Sequence, residues 1–370
     1  MILRPTINRL FDALTRRLDG PLMVAIVVLA SISVIVVFSA SGGVSFDRAM
    51  GQLRNFGVAL IIMWIVANIS PQTLMRLAIP IYLFGLVLLV GVALGGEIRN
   101  GARRWLNLGI VTLQPSEIMK IGMPLLLAWY FHRKEEGLHL KDYIIAVLIL
   151  LLPTALVVRQ PDLGTAILVS SAGCFVIFFA GLPWKVLIGG VLAGGASLPF
   201  LWNHLHDYQQ QRILTLLDPT QDPLGAGYHI IQSTIAIGSG GVFGKGWLNG
   251  SQAQLDFIPE RSTDFILAVF GEEFGLLGNM LLLTLYLIII GRGLMIAINA
   301  PTTFSRLLAA AITLSFFTYA FVNMGMVTGI LPVVGVPLPL ISYGGTAILS
   351  LCVGFGILMS ISTHKQLVST

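Results

Sequence analysis

Charge is what this 370-residue sequence has least of: Asp, Glu, Lys and Arg make up 11% of it, against 56% hydrophobic residues and a mean hydropathy of +0.88. Soluble domains carry roughly a quarter of their residues charged. A water-soluble enzyme, a disordered chain and a nucleic-acid-binding module are therefore excluded. Cysteine is nearly absent too: Cys174 and Cys352 both lie within apolar runs, so no disulfide framework is implied. The six histidines form no metal-ligating pattern. The nearest approach, His204-x-His206, reads as interfacial residues rather than a metal site, and no cofactor is evident. The net charge of +5 does not denote a basic patch, because the charges are segregated along the chain.

Long apolar runs are what the sequence has in quantity. They fall at residues 21–38, 56–69, 77–94, 164–181, 186–202, 276–290, 307–330 and 346–361. Two weaker runs join them, 115–131 with Glu117, Lys120 and Pro124, and 143–158 with Pro153. A membrane-spanning helix needs about 20 mostly apolar residues, whereas barrel strands are half as long and alternate in polarity. The expected fold is an all-α polytopic membrane protein of about ten transmembrane helices, forming a single domain over residues 1–370. An even number of spans puts both termini on one side. The first 20 residues mix Arg4, Arg9, Arg16 and Arg17 with Asp12 and Asp19 and contain no small-residue cleavage site, so a removable signal peptide is not expected. With the termini in the cytoplasm, that side collects twelve basic residues, including Arg76, Arg133, Lys134, Lys141, Lys185, Arg292, Arg306 and Lys365, against five acids, a net of +7 that leaves −2 for the rest. The positive-inside rule favours this orientation.

Some outer-side charges run against that rule. Arg99, Arg103 and Arg104 crowd one short connection, and Arg48 and Arg54 another. Headgroup contact is the bland explanation. The sharper one is a site for an anionic group, since arginine suits bidentate phosphate recognition. The connection at residues 203–263, between spans seven and eight, is the one long loop, and loops beyond about 12–15 residues are usually functional or disordered. Within it, His229 to Ile237 has apolar residues at helical spacing, the pattern of an amphipathic helix on the membrane surface. Its Gly238-Ser-Gly-Gly241 and Gly244-Lys-Gly246 stretches are not a P-loop, because Gly246 stands where Ser or Thr is required.

Ionisable residues inside apolar spans are costly, which singles out several. Glu117 and Lys120 are three apart on one predicted helix and so are neighbours; they form either a structural ion pair or a polar cavity wall. Ser262 or Thr263 is the expected N-cap of span eight, with Asp264 in its first turn, favoured there by the helix dipole. Glu272 lies about 80° round that helix from Asp264 and about 12 Å deeper, with Glu273 on the opposite face from Asp264. Burial would make Glu272 the more proton-affine and the helix terminus would favour ionised Asp264, so electrostatics alone leaves the base unassigned. Asp162 reads as the cap of span six. Three prolines, Pro332, Pro337 and Pro339, forbid a continuous helix across residues 329–345, and a re-entrant loop is expected there.

Six motifs in order, Gln114-Pro-Ser-Glu117, Gln160-Pro-Asp162-Leu-Gly164, Asp222-Pro-Leu-Gly-Ala-Gly-Tyr228, Pro259-Glu-Arg-Ser-Thr-Asp264, Gly271-Glu-Glu-Phe-Gly275 and Pro337-Leu-Pro-Leu-Ile-Ser-Tyr-Gly-Gly345, resemble the SEDS family (shape, elongation, division and sporulation). The stretches 331–339 and 225–232 are similar to its RodA-type elongation branch rather than its division branch. The resemblance implies a peptidoglycan glycosyltransferase of the plasma (inner) membrane that polymerises lipid II on the outer face and releases undecaprenyl diphosphate. It implies a class B penicillin-binding protein transpeptidase as partner, with other membrane proteins of the elongation complex. It maps the essential aspartate onto Asp264 and the cavity pair onto Glu117 and Lys120. Ser262 departs from the histidine common two positions before the aspartate. Arg48, Arg103 and Arg104 are the candidates for the substrate's pyrophosphate. A lipid II flippase and a noncatalytic scaffold are the competing readings, with motif residues concentrated on the outer half favouring the polymerase.

Overall fold

The structure is a computed structural model that describes residues 17–364 except 44–45, 100–101, 108–111, 135–136, 204–206, 223–224, 256 and 259. Arg4, Arg9, Asp12, Arg16, Glu135, Glu136, His204, His206, Pro259 and Lys365 lie outside the described residues. Each expected apolar run corresponds to a helix: α1 (Gly20–Ala40), α2 (Asp47–Ala67), α3 (Pro71–Gly95), α4 (Pro115–His132), α5 (Leu140–Val158), α6 (Leu163–Phe179), α7 (Trp184–Trp202), α11 (Ile266–Ile298), α12 (Thr303–Val327) and α13 (Gly345–Thr363). Between α7 and α11 lie the shorter α8 (Asp207–Leu217), α9 (Ala226–Ser239) and α10 (Ser251–Gln254). Among the described residues, seven helices are by length and composition able to cross a membrane, all of the ten except α4, α6 and α7, of which α6 and part of α7 are shorter apolar helices. The molecule is a multi-pass helical membrane protein.

One hydrophobic core runs through the bundle. α12 and α4 form its centre: α12 buries Phe304, Leu308, Phe316 and Met326, and α4 is buried from Gly122 to Ala128. α4 stays helical through Pro124, as membrane helices can where neighbours re-satisfy the freed backbone groups. α1, α2, α3, α5 and α11 turn one side outward, with Val24, Ile61, Val87, Leu148 and Leu287 exposed as a lipid-facing surface requires.

The bundle has two unlike ends. At one, both described termini meet: Arg17 Nη1 lies 3.1 Å from His364 Nε2 and donates to the Asn68 carbonyl at 2.9 Å. There Asp19 caps α1 and takes a two-pronged pair from Arg292, at 2.9 and 2.7 Å, and a bond from Ser362 at 2.9 Å. The opposite end carries the long loop, the proline-rich loop and one feature that helical periodicity does not announce. The arginine-rich connection is a three-stranded antiparallel sheet, β1 (Glu97–Arg99), β2 (Ala102–Asn107) and β3 (Thr112–Leu113). Because side chains alternate along a strand, Arg103 and Arg104 point to opposite faces.

The α9 helix forms as its apolar spacing predicts, but it packs on α11 and α12. Ile230, Ser233 and Ala236 are buried, and Ser233 Oγ donates to the Val327 carbonyl at 2.9 Å.

Candidate functional site

Asp264 stands in a turn over residues 260–265, not in the first turn of a helix. α11 begins only at Ile266, with Phe265 at its N-cap and no side-chain cap. Ser262 and Thr263 are not caps because both are engaged elsewhere: Ser262 Oγ accepts from Arg48 Nη1 at 3.0 Å, and Thr263 Oγ1 donates to Glu260 Oε2 at 2.8 Å. The turn is keyed to the proline-rich loop through its backbone. Tyr343 N–H donates to the Ser262 carbonyl at 2.9 Å, and Ser342 Oγ donates to that of Thr263 at 2.6 Å. Asn323 of α12 donates from Nδ2 to the carbonyls of Asp264, at 2.8 Å, and Val336, at 2.7 Å. Gly335 has φ +72°, and a Cβ there would sit 3.3 Å from Asp264 Oδ2, so glycine lets the loop run directly against the carboxylate. Glu260 (φ 51°) and Leu340 (φ 60°) sit in the left-handed region, strain of the kind stored at functional sites.

The expected re-entrant loop is present. Residues 331–344 are non-helical yet bury Val334, Val336, Leu338, Leu340 and Ile341. Its carbonyls find partners on three helices: Tyr286 for Pro339, Ser33 for Ile341 and Gln52 for Ser342. Buried backbone polar groups must be paired, and these isolated polar side chains in apolar spans meet that need.

Burial pushes the Asp264 carboxyl up to about 6; the charges of Glu260 and Asp162 add to the rise and Arg104 opposes it. Asp162 caps α6 as expected, accepting from Thr165 N–H at 3.1 Å, and also faces Arg104, whose Nε lies 3.4 Å from Oδ2. Arg104 Nη2 donates to the Pro161 carbonyl at 3.0 Å. Of the predicted arginines the structure brings Arg48 and Arg104 to the site. Arg103 is exposed on the other face of β2, its stem beside Gly96.

Glu117 and Lys120 form a pair at 2.7 Å, with side chains only 12% and 9% exposed. Two further residues complete it. Ser350 Oγ donates to Glu117 Oε2 at 2.6 Å, and Lys120 contacts the Tyr319 hydroxyl and lies 4.7 Å from that ring's centre. Lys120, Tyr319 and Ser350 line a cavity of about 40 Å³, and Tyr319 also lines a smaller one beneath Pro337–Leu340. Tyr319 thus links the buried pair to the loop that cradles Asp264. The sequence reading missed Tyr319, Ser350 and Asn323; the available signal was polar groups on otherwise apolar helices.

Glu272 is held by partners from the long loop. It is fully buried, and Lys245 Nζ donates to it at 2.7 Å and the Gln252 N–H at 3.1 Å. Glu273 contacts Ser39 and accepts from Leu248 N–H at 3.2 Å. Of these partners Lys245 belongs to the glycine-rich stretch, Leu248 and Gln252 follow it, and Ser39 is on α1. α11 breaks at Gly275 (φ 63°, ψ −159°), and there Lys245 and Gly246 N–H donate to the carbonyls of Glu272 and Glu273, each at 3.0 Å. The two glutamates anchor the long loop to α11. Among the described residues, no three His, Cys, Asp or Glu converge to hold a metal ion.

The fold and site together define a class: a polytopic helical membrane protein with a strained carboxylate turn, flanking arginines and a buried Glu–Lys pair gathered toward one end. The family model FTSW_RODA_SPOVE, described as "Cell cycle protein", matches residues 20–367. The chain belongs to this family. It is 51% identical to the peptidoglycan glycosyltransferase MrdB of Escherichia coli K12 over 95% of both chains. It is 33% identical to stage V sporulation protein E of Bacillus subtilis, over 94% of this chain and 98% of that one. Among solved structures it superposes on a chain of a peptidoglycan synthase complex that coordinates polymerization and crosslinking, with TM-score 0.81, 32% identity and coverage of 93% and 97%. It also superposes on the rod shape determining protein RodA of Thermus thermophilus, with TM-score 0.71, 28% identity and coverage of 93% and 96%.

Proposed function

We propose that this chain is a peptidoglycan glycosyltransferase of the elongation type, polymerising lipid II and releasing undecaprenyl diphosphate. Asp264 takes the proton of the acceptor sugar's 4-hydroxyl as that oxygen attacks the anomeric carbon of the donor. The bond from that carbon to the pyrophosphate breaks, and Arg48 and Arg104 offset the charge that develops on the departing group. A general base works best with a pKa near the operating pH, and a carboxyl raised to about 6 is ionised at neutrality yet more basic than a free aspartate. Glu117, Lys120 and Tyr319 form the polar wall beneath. The site end faces outward, both termini are cytoplasmic, and the membrane is the plasma membrane. The partner is a class B penicillin-binding protein that cross-links the product, within a larger elongation assembly.

The observation that carries this reading is the asymmetry of the ionisable groups. Asp264, Asp162, Arg104 and Arg48 gather at one end, and the buried acids at the other are locked in separate pairs, Asp19–Arg292 and Asp142–Lys134. A flippase requires ionisable groups reachable from both sides. The deciding experiment uses purified chain, partner and lipid II in detergent, scored for glycan polymer. Detergent abolishes the two compartments, so polymer formation supports the enzyme, and its absence with a correctly assembled complex overturns it.

A further inference from the structure

At the end where the termini meet, α7 stands away from the bundle. Its described side chains are exposed apart from the half-buried Leu187 and Ser197. Between α7, α5 and α6 lies a groove of about 860 Å³ whose walls include Ile144, Leu148, Phe178, Val186, Leu187 and Gly190. A Cβ at Gly190 would meet nothing within 4 Å, so the groove is open along α7. Its closed end is fixed by Tyr143, whose hydroxyl donates to the Gly181 carbonyl at 2.9 Å and ties the start of α5 to the turn before α7.

That hydrogen bond brings two lysines to the rim. Lys141 is in the first turn of α5, beside the lining residue Leu140, and Lys185 in the first turn of α7, beside the lining residue Val186. Both are exposed, and neither has an ion-pair partner among the described residues. Among the described residues the nearby acid does not neutralise them: Asp142 is buried and committed to Lys134 at 3.3 Å, Tyr130 at 2.9 Å and the His139 N–H at 3.0 Å. The first turn of a helix disfavours cations, so two lysines in two adjacent first turns, without an ion-pair partner among the described residues, call for an anion.

We propose that this groove binds an anionic phospholipid of the surrounding bilayer, acyl chains against the apolar wall and phosphate held by Lys141 and Lys185. Basic pockets between membrane helices bind anionic headgroups in this way. The polyprenyl substrate is the wrong occupant. Its pyrophosphate belongs with Arg48 and Arg104 at the opposite end, about a 19-residue helix, or roughly 28 Å, away.

Trp184, exposed at the rim, gives the readout. The full chain is placed in phosphatidylcholine nanodiscs containing a minor fraction of either dibrominated phosphatidylglycerol or dibrominated phosphatidylcholine. Bromine quenching of Trp184 is isolated by subtracting the signal of Trp184→Phe. The brominated anionic lipid is expected to quench more at equal mole fraction. Lys141→Gln and Lys185→Gln should each cut that preference about fivefold, and the double variant should reach parity. Arg76→Gln, an exposed cation on α3 at the same end, should leave the preference intact. Equal quenching by the two lipids in the unaltered chain overturns the proposal without any variant. So does an equal loss in Arg76→Gln, which would mean general surface charge. Negligible quenching by both lipids would overturn it too, pointing to a protein segment in the groove.

Discussion

The two ends of the bundle treat charge in opposite ways. Where the termini meet, each buried acid is fully engaged: Asp19 with Arg292, Ser362 and the Leu22 N–H, Asp142 with Lys134, Tyr130 and the His139 N–H. At the site end Asp264 is half-buried beside two other carboxylates, and Arg104 faces Asp162 outside hydrogen-bond geometry. The first arrangement stabilises a fold. The second leaves the Asp264 carboxylate without a hydrogen bond among the described residues, at a cost in stability. Burial alone would raise the Asp19 carboxyl, but the bonds from Arg292, Ser362 and Leu22 hold it below the ordinary aspartate range. Asp264 is displaced the other way.

The sharpest break of this contrast is Asp264→Asn. Loss of a positioned general base should lower polymerisation roughly a hundred- to ten-thousandfold. Asn cannot accept a proton, but it preserves shape, so insertion and partner binding should persist. A group whose folded pKa is raised above its unfolded value contributes stability below the unfolded pKa and loses it as pH rises through the folded one, here from about 4 to about 6. Asp264→Asn should therefore melt no lower, and slightly higher, than the parent at pH 7.5. Activity of the parent should fall as pH drops through about 6. Near-normal polymerisation by Asp264→Asn would return the residue to a purely structural part.

Next is the buried pair. Lys120→Met leaves Glu117 unpaired at low dielectric and should cost about 3–5 kcal/mol, while Glu117→Gln with Lys120→Met should recover most of it. The double variant should remain inactive. If thermal stability and polymerisation return together, the pair is only structural and the polar-wall assignment fails.

At the other end, Asp19→Asn should cost about 1.5–3 kcal/mol, the range for hydrogen bonds to a charged group. The Asp19 contribution is present above the ordinary aspartate pKa and lost as pH falls through its lowered one. The variant and parent should therefore converge in stability in acid. Per folded molecule, polymerisation should be unchanged; a fall in specific activity would mean that the two ends are coupled.

Much of this was legible in the sequence. The apolar runs located every long helix, because a lipid-facing helix has few alternatives. Three prolines located the re-entrant loop, and Asp162 was read as a cap from its place in a tight turn. What escaped was whatever depends on partners distant in sequence. The pairing of Glu272 with Lys245, 27 residues away, leaves no local signal. Ser262 and Thr263 looked like caps because the bonds that engage them run to Arg48 and back to Glu260. Helical periodicity was equally silent about a sheet of only three short strands.

That sheet yields the finest test. Arg103 and Arg104 are adjacent and chemically identical, so composition and charge rules treat them as one feature, but the pleat gives them different surroundings. Arg104 faces Asp162 and opposes the rise in the Asp264 pKa, while Arg103 is exposed beside Gly96. Lysine keeps the charge and loses the planar fork. If Arg104 grips pyrophosphate, Arg104→Lys should raise the lipid II concentration needed for half-maximal turnover several-fold, about 1–1.5 kcal/mol for one hydrogen bond lost while the charge is kept. Arg104→Ala should do more. Arg103→Lys should stay within about twofold, since exposed charges contribute roughly 0–1 kcal/mol. Measuring lipid II dependence for these variants sets neighbour against neighbour on one strand. Equal effects at both positions would mean that total positive charge matters rather than the face it occupies, and Arg48, bonded to Ser262 two residues before Asp264, would then be the remaining candidate for the leaving group.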